Sequence, residues 1–234
     1  MNSKKLMAGL LSISFVGMLS WYIGNHDTKT VVQAEKQNNV VTEEKTEKSK
    51  EITSKDIYGT SEIENSWVKD PTVPENLLIK GLTSVVQLKV LSIGEAEILP
   101  KKGKFYSQDP FTPIQVEVND TISGNPMSGE KTIYINGGDI KISKLEKSLD
   151  KGTIQKMELD KLTSKQKETE YISYVSDHDF RMKTRKDYTV ILVKQADDIY
   201  TVIGNGYGIF KASNSKRTNM FKNVLTGKES DLQF

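Results

Sequence analysis

Apolar and polar residues alternate in short runs between residues 83 and 212, and a period of two marks strands with one buried face. In 83–99, Val86, Leu88 and Val90 share a face, and Gly94 marks a bend or bulge. In 111–122, Ile114, Val116 and Val118 alternate with Gln115 and Glu117. Pro113 there belongs at a strand start or edge, where no ladder donor is needed. Ile133 and Ile135 repeat the pattern in 131–136, which ends at Gly137-Gly138. Residues 188–194 are almost continuously apolar and predict a central strand. Residues 199–203 follow across a hairpin-length turn at 195–198, and 208–212 forms a short last strand.

The period changes between the third and fourth runs. Ile142, Leu145 and Leu149 recur at helical spacing, Leu159 and Leu162 follow, and Thr163 or Ser164 is placed to cap a short helix running towards Tyr171. This insert, 140–187, predicts one or two helices plus a loop. The fold class is therefore mainly β: a small antiparallel barrel or roll of about six strands with a helical insert between strands 3 and 4. That order is the one found in an OB-like barrel, and an open roll gives the same one-dimensional pattern.

Upstream, the texture is different. Lys4 and Lys5 precede an uncharged run of 18 residues, 6–23, which predicts an N-terminal hydrophobic helix that directs export. Trp21 and Tyr22 at its end suit a retained membrane anchor, whereas Val32-Gln33-Ala34 suits signal-peptide cleavage near Ala34. Both readings put the rest of the chain outside the cytoplasm, displayed on a cell membrane or secreted. Residues 35–55 carry five lysines and five glutamates with no aromatic, glycine or proline, and they predict a disordered charged linker. Tyr58, Trp67, Pro71 and Pro74 open an ordered lead-in, with a short helix expected over 75–80. The domains read as 1–34, signal or anchor; 35–55, linker; 56–213, β-barrel; and 214–234, C-terminal tail.

Composition narrows the function classes. The 234 residues include no cysteine, which excludes disulfide scaffolds, cysteine zinc modules and cysteine nucleophiles. The formal charge is +2, and beyond residue 34 basic and acidic residues are equal in number, so the basic footprint of a nucleic-acid binder is missing. The short basic runs at 101–104 and 181–186 read as solvated loops.

Order and spacing resemble a group of uncharacterised exported, membrane-anchored small β-barrel proteins of Firmicutes. The stretches that carry the likeness are 85–90, 114–118, 132–138 with its Gly-Gly pair, 188–193, and 202–211 with its Gly-x-Phe-Lys strand. The resemblance implies a Gram-positive source and a barrel displayed outside the membrane. It implies no activity and no site residues.

Candidate chemistry is sparse. Of the two histidines, His26 lies beside the hydrophobic run, and His178 lies in Asp177-His178-Asp179. Three consecutive side chains diverge and form no chelate, so no metal, no cofactor and no catalytic set is expected. Gly204-Asn205-Gly206-Tyr207-Gly208 lacks the Lys-Ser/Thr ending of a phosphate loop and reads as a turn. The expected function is a non-enzymatic binding or interaction module at the cell surface. The alternatives are an envelope hydrolase and, more weakly, an OB-type nucleic-acid binder. Two segments exceed what turns require, 100–110 and the insert. Their aromatic residues Phe105, Tyr106, Tyr171, Tyr174 and Phe180 form the expected surface for a protein or envelope ligand, unless they plug the barrel as core.

Overall fold

The computed structural model describes residues 56–100, 105, 107–212 and 220–233. The predicted export run, the charged linker and Tyr106 lie outside these residues. Among the described residues, no helix is long and apolar enough to cross a membrane.

The strands in chain order begin with β1 (Ile57–Glu62), β2 (Thr83–Ile93), β3 (Phe111–Ser123) and β4 (Gly129–Asn136). Next come β5 (Gly138–Lys141), β6 (Tyr171–Val175), β7 (Asp187–Ala196) and β8 (Ile199–Val202). The last are β9 (Ile209–Ala212), β10 (Phe221–Asn223) and β11 (Glu229–Ser230). Three short helices lie between β5 and β6: α1 (Ile142–Leu145), α2 (Lys151–Lys156) and α3 (Ser164–Thr169).

The fold is mainly β and contains a closed five-strand barrel. Around the ring, β2 pairs with β3, β3 with β4, β4 with β8, β8 with β7, and β7 with β2. An odd number of strands cannot close with every neighbour antiparallel. One parallel seam is obligatory, and it falls between β4 and β8, where Ile133 and Tyr134 lie opposite Tyr200 and Thr201. The other four pairings of the ring are antiparallel. The sixth predicted strand, β9, is not part of the ring. It pairs with β7 at Thr189 and Val190, outside the closure, and continues into β10 and β11. The register of β2 against β3 slips at three places, and such bulges bend a sheet into a barrel.

The alternating positions do face the interior. Val86, Leu88, Val90, Ile114, Val116, Ile133 and Ile135 are buried together with Tyr188, Val190 and Leu192 of β7. The other face of β7 is also covered. Ile191 packs with Val85, Leu77, Phe210, Phe221 and Leu232, which explains why residues 188–194 read as one continuous apolar run. Leu77 belongs to a 3-10 turn, Pro74–Leu77, found where a helix over 75–80 was expected. The stretch expected to be a tail holds β10 and β11, and its Leu232 is fully buried.

The insert differs from its prediction. It contains a strand, β6, as well as three helices, and β6 pairs in parallel with β1 and antiparallel with β5. The helices do not plug the barrel. They cover this three-stranded sheet, burying Ile140, Ile142, Leu145, Leu159, Ile172 and Tyr174 in a second core. The barrel end is filled instead by Met182, with Phe180 against it, from the loop after β6. Chain passage from barrel to small sheet needs a sharp corner at Gly137 and Gly138, whose φ values are +90° and +115°. A side chain on Gly138 would run into the Thr112 hydroxyl, which donates to the Gly137 carbonyl at 2.7 Å.

Candidate functional site

On β4, Ile133 and Ile135 occupy the interior, so Thr132 and Tyr134 stand on the outer face. The chain leaving β2 crosses this face. Glu97 makes a two-bond bridge to Phe111, at 2.9 and 2.8 Å, and the following residues bring Leu99 and Pro100 over β4. The β7–β8 turn closes the other side. Asp198 at its tip has φ +63°, a left-handed conformation that aspartate tolerates better than most residues.

Between these elements lies an open cleft of about 390 Å³. Leu99 and Pro100 form one wall, Lys131, Thr132 and Tyr134 the floor, and Asp198 and Tyr200 the far side, with Glu130 at the lip. The volume is in the range of small-ligand sites, roughly 300–1,000 Å³. Desolvation, helped by the charge of Glu97, raises the Tyr134 hydroxyl above the usual tyrosine range, so it stays protonated and can both donate and accept. The Lys194 ammonium is held by Asp197 at 2.8 Å, and that bond raises its pKa. Carboxylate, ammonium and hydroxyl groups thus surround tyrosine rings and an apolar wall.

The residues singled out in sequence fall in several places. Phe105 is half-buried. Tyr171 and Tyr174 lie three apart on β6 and so take opposite faces. Tyr174 is buried in the second core, and burial, with a smaller contribution from Asp109, pushes its hydroxyl up to about 12. Tyr171 is half-buried with the Lys141 ammonium 6.0 Å from its ring centre. Phe180 packs edge-on to Tyr188 at 6.0 Å, against the barrel core. Tyr174 and Phe180 thus belong to separate cores. The groove residues Tyr134, Asp198 and Tyr200 escaped notice, although the long segment after Gly94 did point to one of its walls.

Two other polar clusters are internally satisfied. The Asp179 carboxylate accepts from the Ser176 hydroxyl at 2.9 Å and from its N–H at 3.1 Å, while the His178 ring leans on Tyr207 at 4.7 Å. The Asp139 carboxylate accepts from the Ser173 hydroxyl at 2.6 Å and from Arg181 at 3.3 Å. Among the described residues, no group of three His, Asp or Glu side chains converges as metal ligands would.

No family model matches the chain, and no curated protein or solved structure matches it.

Proposed function

We propose that this chain is an extracytoplasmic, non-enzymatic binding module whose OB-type barrel holds a neutral glycan of the cell envelope across β4 and β8. One observation carries the reading: the groove lies on the outer face of β4, between the loop after β2 and the β7–β8 turn. Counted from β2, the ring runs first, second, third, fifth, fourth, with the helices between third and fourth. In OB-type barrels the face of the second and third strands and those two loops are where oligonucleotides and oligosaccharides bind, and β4 is the third strand here.

Charge favours the sugar over the nucleic acid. Glu130 and Asp198 flank Lys131, so a phosphate backbone would meet more like charges than opposite ones. Tyrosine hydroxyls, Thr132 and the two carboxylates match the hydroxyl-rich edges of sugars, and ring faces suit their C–H surfaces. Lys4 and Lys5 ahead of 6–23 support export, with the chain anchored or cleaved near Ala34. The resemblance to exported barrels of Firmicutes supports the same location.

The test is co-sedimentation of the detergent-solubilised protein with purified bacterial cell-wall glycan. Tyr134→Ala and Asp198→Asn should each weaken binding at least tenfold and leave the melting temperature within a few degrees, since asparagine keeps the left-handed turn. Wild-type protein that stays in the supernatant, or variants that sediment as it does, would overturn the reading.

A further inference from the structure

Strand register places the start of β3, the end of β4 and the start of β7 at one end of the barrel. The small sheet projects from this end through Gly137 and Gly138, and its strand β1 starts just after Asp56, whose carbonyl accepts the Tyr171 N–H at 2.8 Å. The chain before Asp56 therefore joins the molecule on the small-sheet side. The Asp198 side of the groove lies towards the opposite end of the barrel, while its Leu99 and Pro100 wall follows the Glu97–Phe111 bridge at the start of β3.

Cations from three separate parts of the sequence meet around the small-sheet end. Arg181, Lys183, Arg185 and Lys186 are all exposed on the loop before β7. That loop is pinned to β2, with Arg185 N–H donating to the Val90 carbonyl at 2.8 Å and Val90 N–H donating to the Lys186 carbonyl at 3.0 Å. Lys211 on β9 reaches the same place, its ammonium 5.6 Å from the ring of Phe180. Lys222 on β10 stands directly opposite Lys211 in the ladder. Like charges in a facing cross-strand pair repel, and a bound anion would relieve that repulsion. Neighbouring acids offset part of the charge: Asp139 holds Arg181, Asp187 follows Lys186, and Glu229 faces Lys222 across β10 and β11.

We propose that this cationic rim docks on the anionic lipid headgroups of the membrane entered by residues 6–23, leaving the Asp198 side of the groove turned away from the bilayer. The proposal rests on reading 6–23 as a retained anchor. Length supports the occupant. Thirty-two residues separate Ile23 from Asp56, and a chain of that length spans roughly 30 Å on average. The headgroups are then presented at an effective concentration near the millimolar range. Each lysine or arginine close to an anionic surface adds on the order of fivefold in affinity, so a rim of six cations needs no pocket. A nucleic acid is the poorer occupant, because Phe180 is half-buried under Lys211 and offers bases little to stack on.

The experiment reconstitutes the full chain in vesicles of phosphatidylcholine alone or with 30% phosphatidylglycerol, and reads lysine acylation residue by residue by mass spectrometry. The expected result is at least fivefold slower acylation of Lys183, Lys186, Lys211 and Lys222 in the anionic vesicles. The protection should vanish at about 1 M salt, where the Debye length is near 3 Å. Lys131 and Lys194, near the groove, should react equally in both. The double variant Lys211→Gln, Lys222→Gln should weaken protection of Lys183 and Lys186 without lowering the melting temperature. Equal acylation of the rim in both vesicles overturns the docking. Equivalent protection on phosphatidylcholine by added polyphosphate or DNA overturns the lipid in favour of a soluble polyanion. Failure of the chain to float with either vesicle overturns the anchor, and the docking with it, whereas glycan binding is scored separately.

Discussion

In the barrel, β2, β3 and β7 run for 11, 13 and 10 residues, and each places a row of fully buried aliphatic side chains against the others. In the layer inserted between β4 and β7, no helix or strand is longer than six residues. Helices that short do not persist alone in water. Its helix caps at Asp150 and Thr163 are local, but the inserted layer is organised from outside itself by β1, which pairs with β6 from more than a hundred residues upstream of it. The two regions show two ways of specifying structure. One is written in local periodicity, and the other in which distant pieces come to share a core.

The sharpest way to break that contrast is to cut equal holes in both cores. Leu88→Ala in the barrel should cost about 3–4 kcal/mol, a loss seen as a fall of roughly 10 °C in melting temperature. Leu159→Ala, equally buried in the second core, should cost about 2–3 kcal/mol. Hydrogen exchange distinguishes the outcomes. The Leu159 variant should speed exchange in β5 and β6 well before the barrel strands. Equal acceleration everywhere would make the two regions one cooperative unit.

Alkali tests the second core by another route. The Tyr174 hydroxyl is pushed up to about 12, so the folded state holds its proton more tightly than the unfolded chain. That contribution is complete below about pH 10, the unfolded value, and is lost as pH rises through the folded one, by up to about 2–3 kcal/mol. Stability measured by urea denaturation at stepped pH should fall in this window for wild type. It should fall less for Tyr174→Phe.

The smallest expected effect is local. At α3, the Gln166 N–H donates to the Thr163 hydroxyl at 3.3 Å, and the Thr163 N–H donates to the Gln166 side chain at 3.1 Å. Thr163→Ala should cost about 1 kcal/mol and loosen α3 amides without touching β2 or β3. No change in α3 exchange would show that packing alone holds that helix.

Much of the barrel could be read beforehand for a physical reason: one buried face forces a period of two. Val86, Leu88, Ile114, Val116 and Ile133 all point where their spacing predicts. The turn at 195–198 and the cap at Thr163 were also local chemistry. The parallel seam of β4 and β8 was not, because it follows from the number of strands in a closed ring. The pairing of Ile57 with Tyr171 left no local trace, and β10 and β11 are too short to show any period. That end is held by Phe221 and Leu232 in the core around Ile191 and by Asn223, whose amide donates to the carbonyls of Gly206, Tyr207 and Ile209. The groove was half visible. Loop length pointed to the segment behind Leu99 and Pro100, but Tyr134 and Tyr200 become neighbours only when the ring closes.

The sharing of β7 between two partners has a consequence for keeping the protein soluble. β8 covers one flank of β7 from Leu192 to Ala196, and β9 takes over that flank at Thr189 and Val190. The run Tyr188-Thr-Val-Ile-Leu-Val is uncharged, rich in β-branched residues and free of proline, the composition that seeds intermolecular cross-β stacking when its backbone is exposed. The terminal strands therefore act as a shield for this stretch of the ring, and a chain shortened after Gly208 would lose that shield before it lost its barrel.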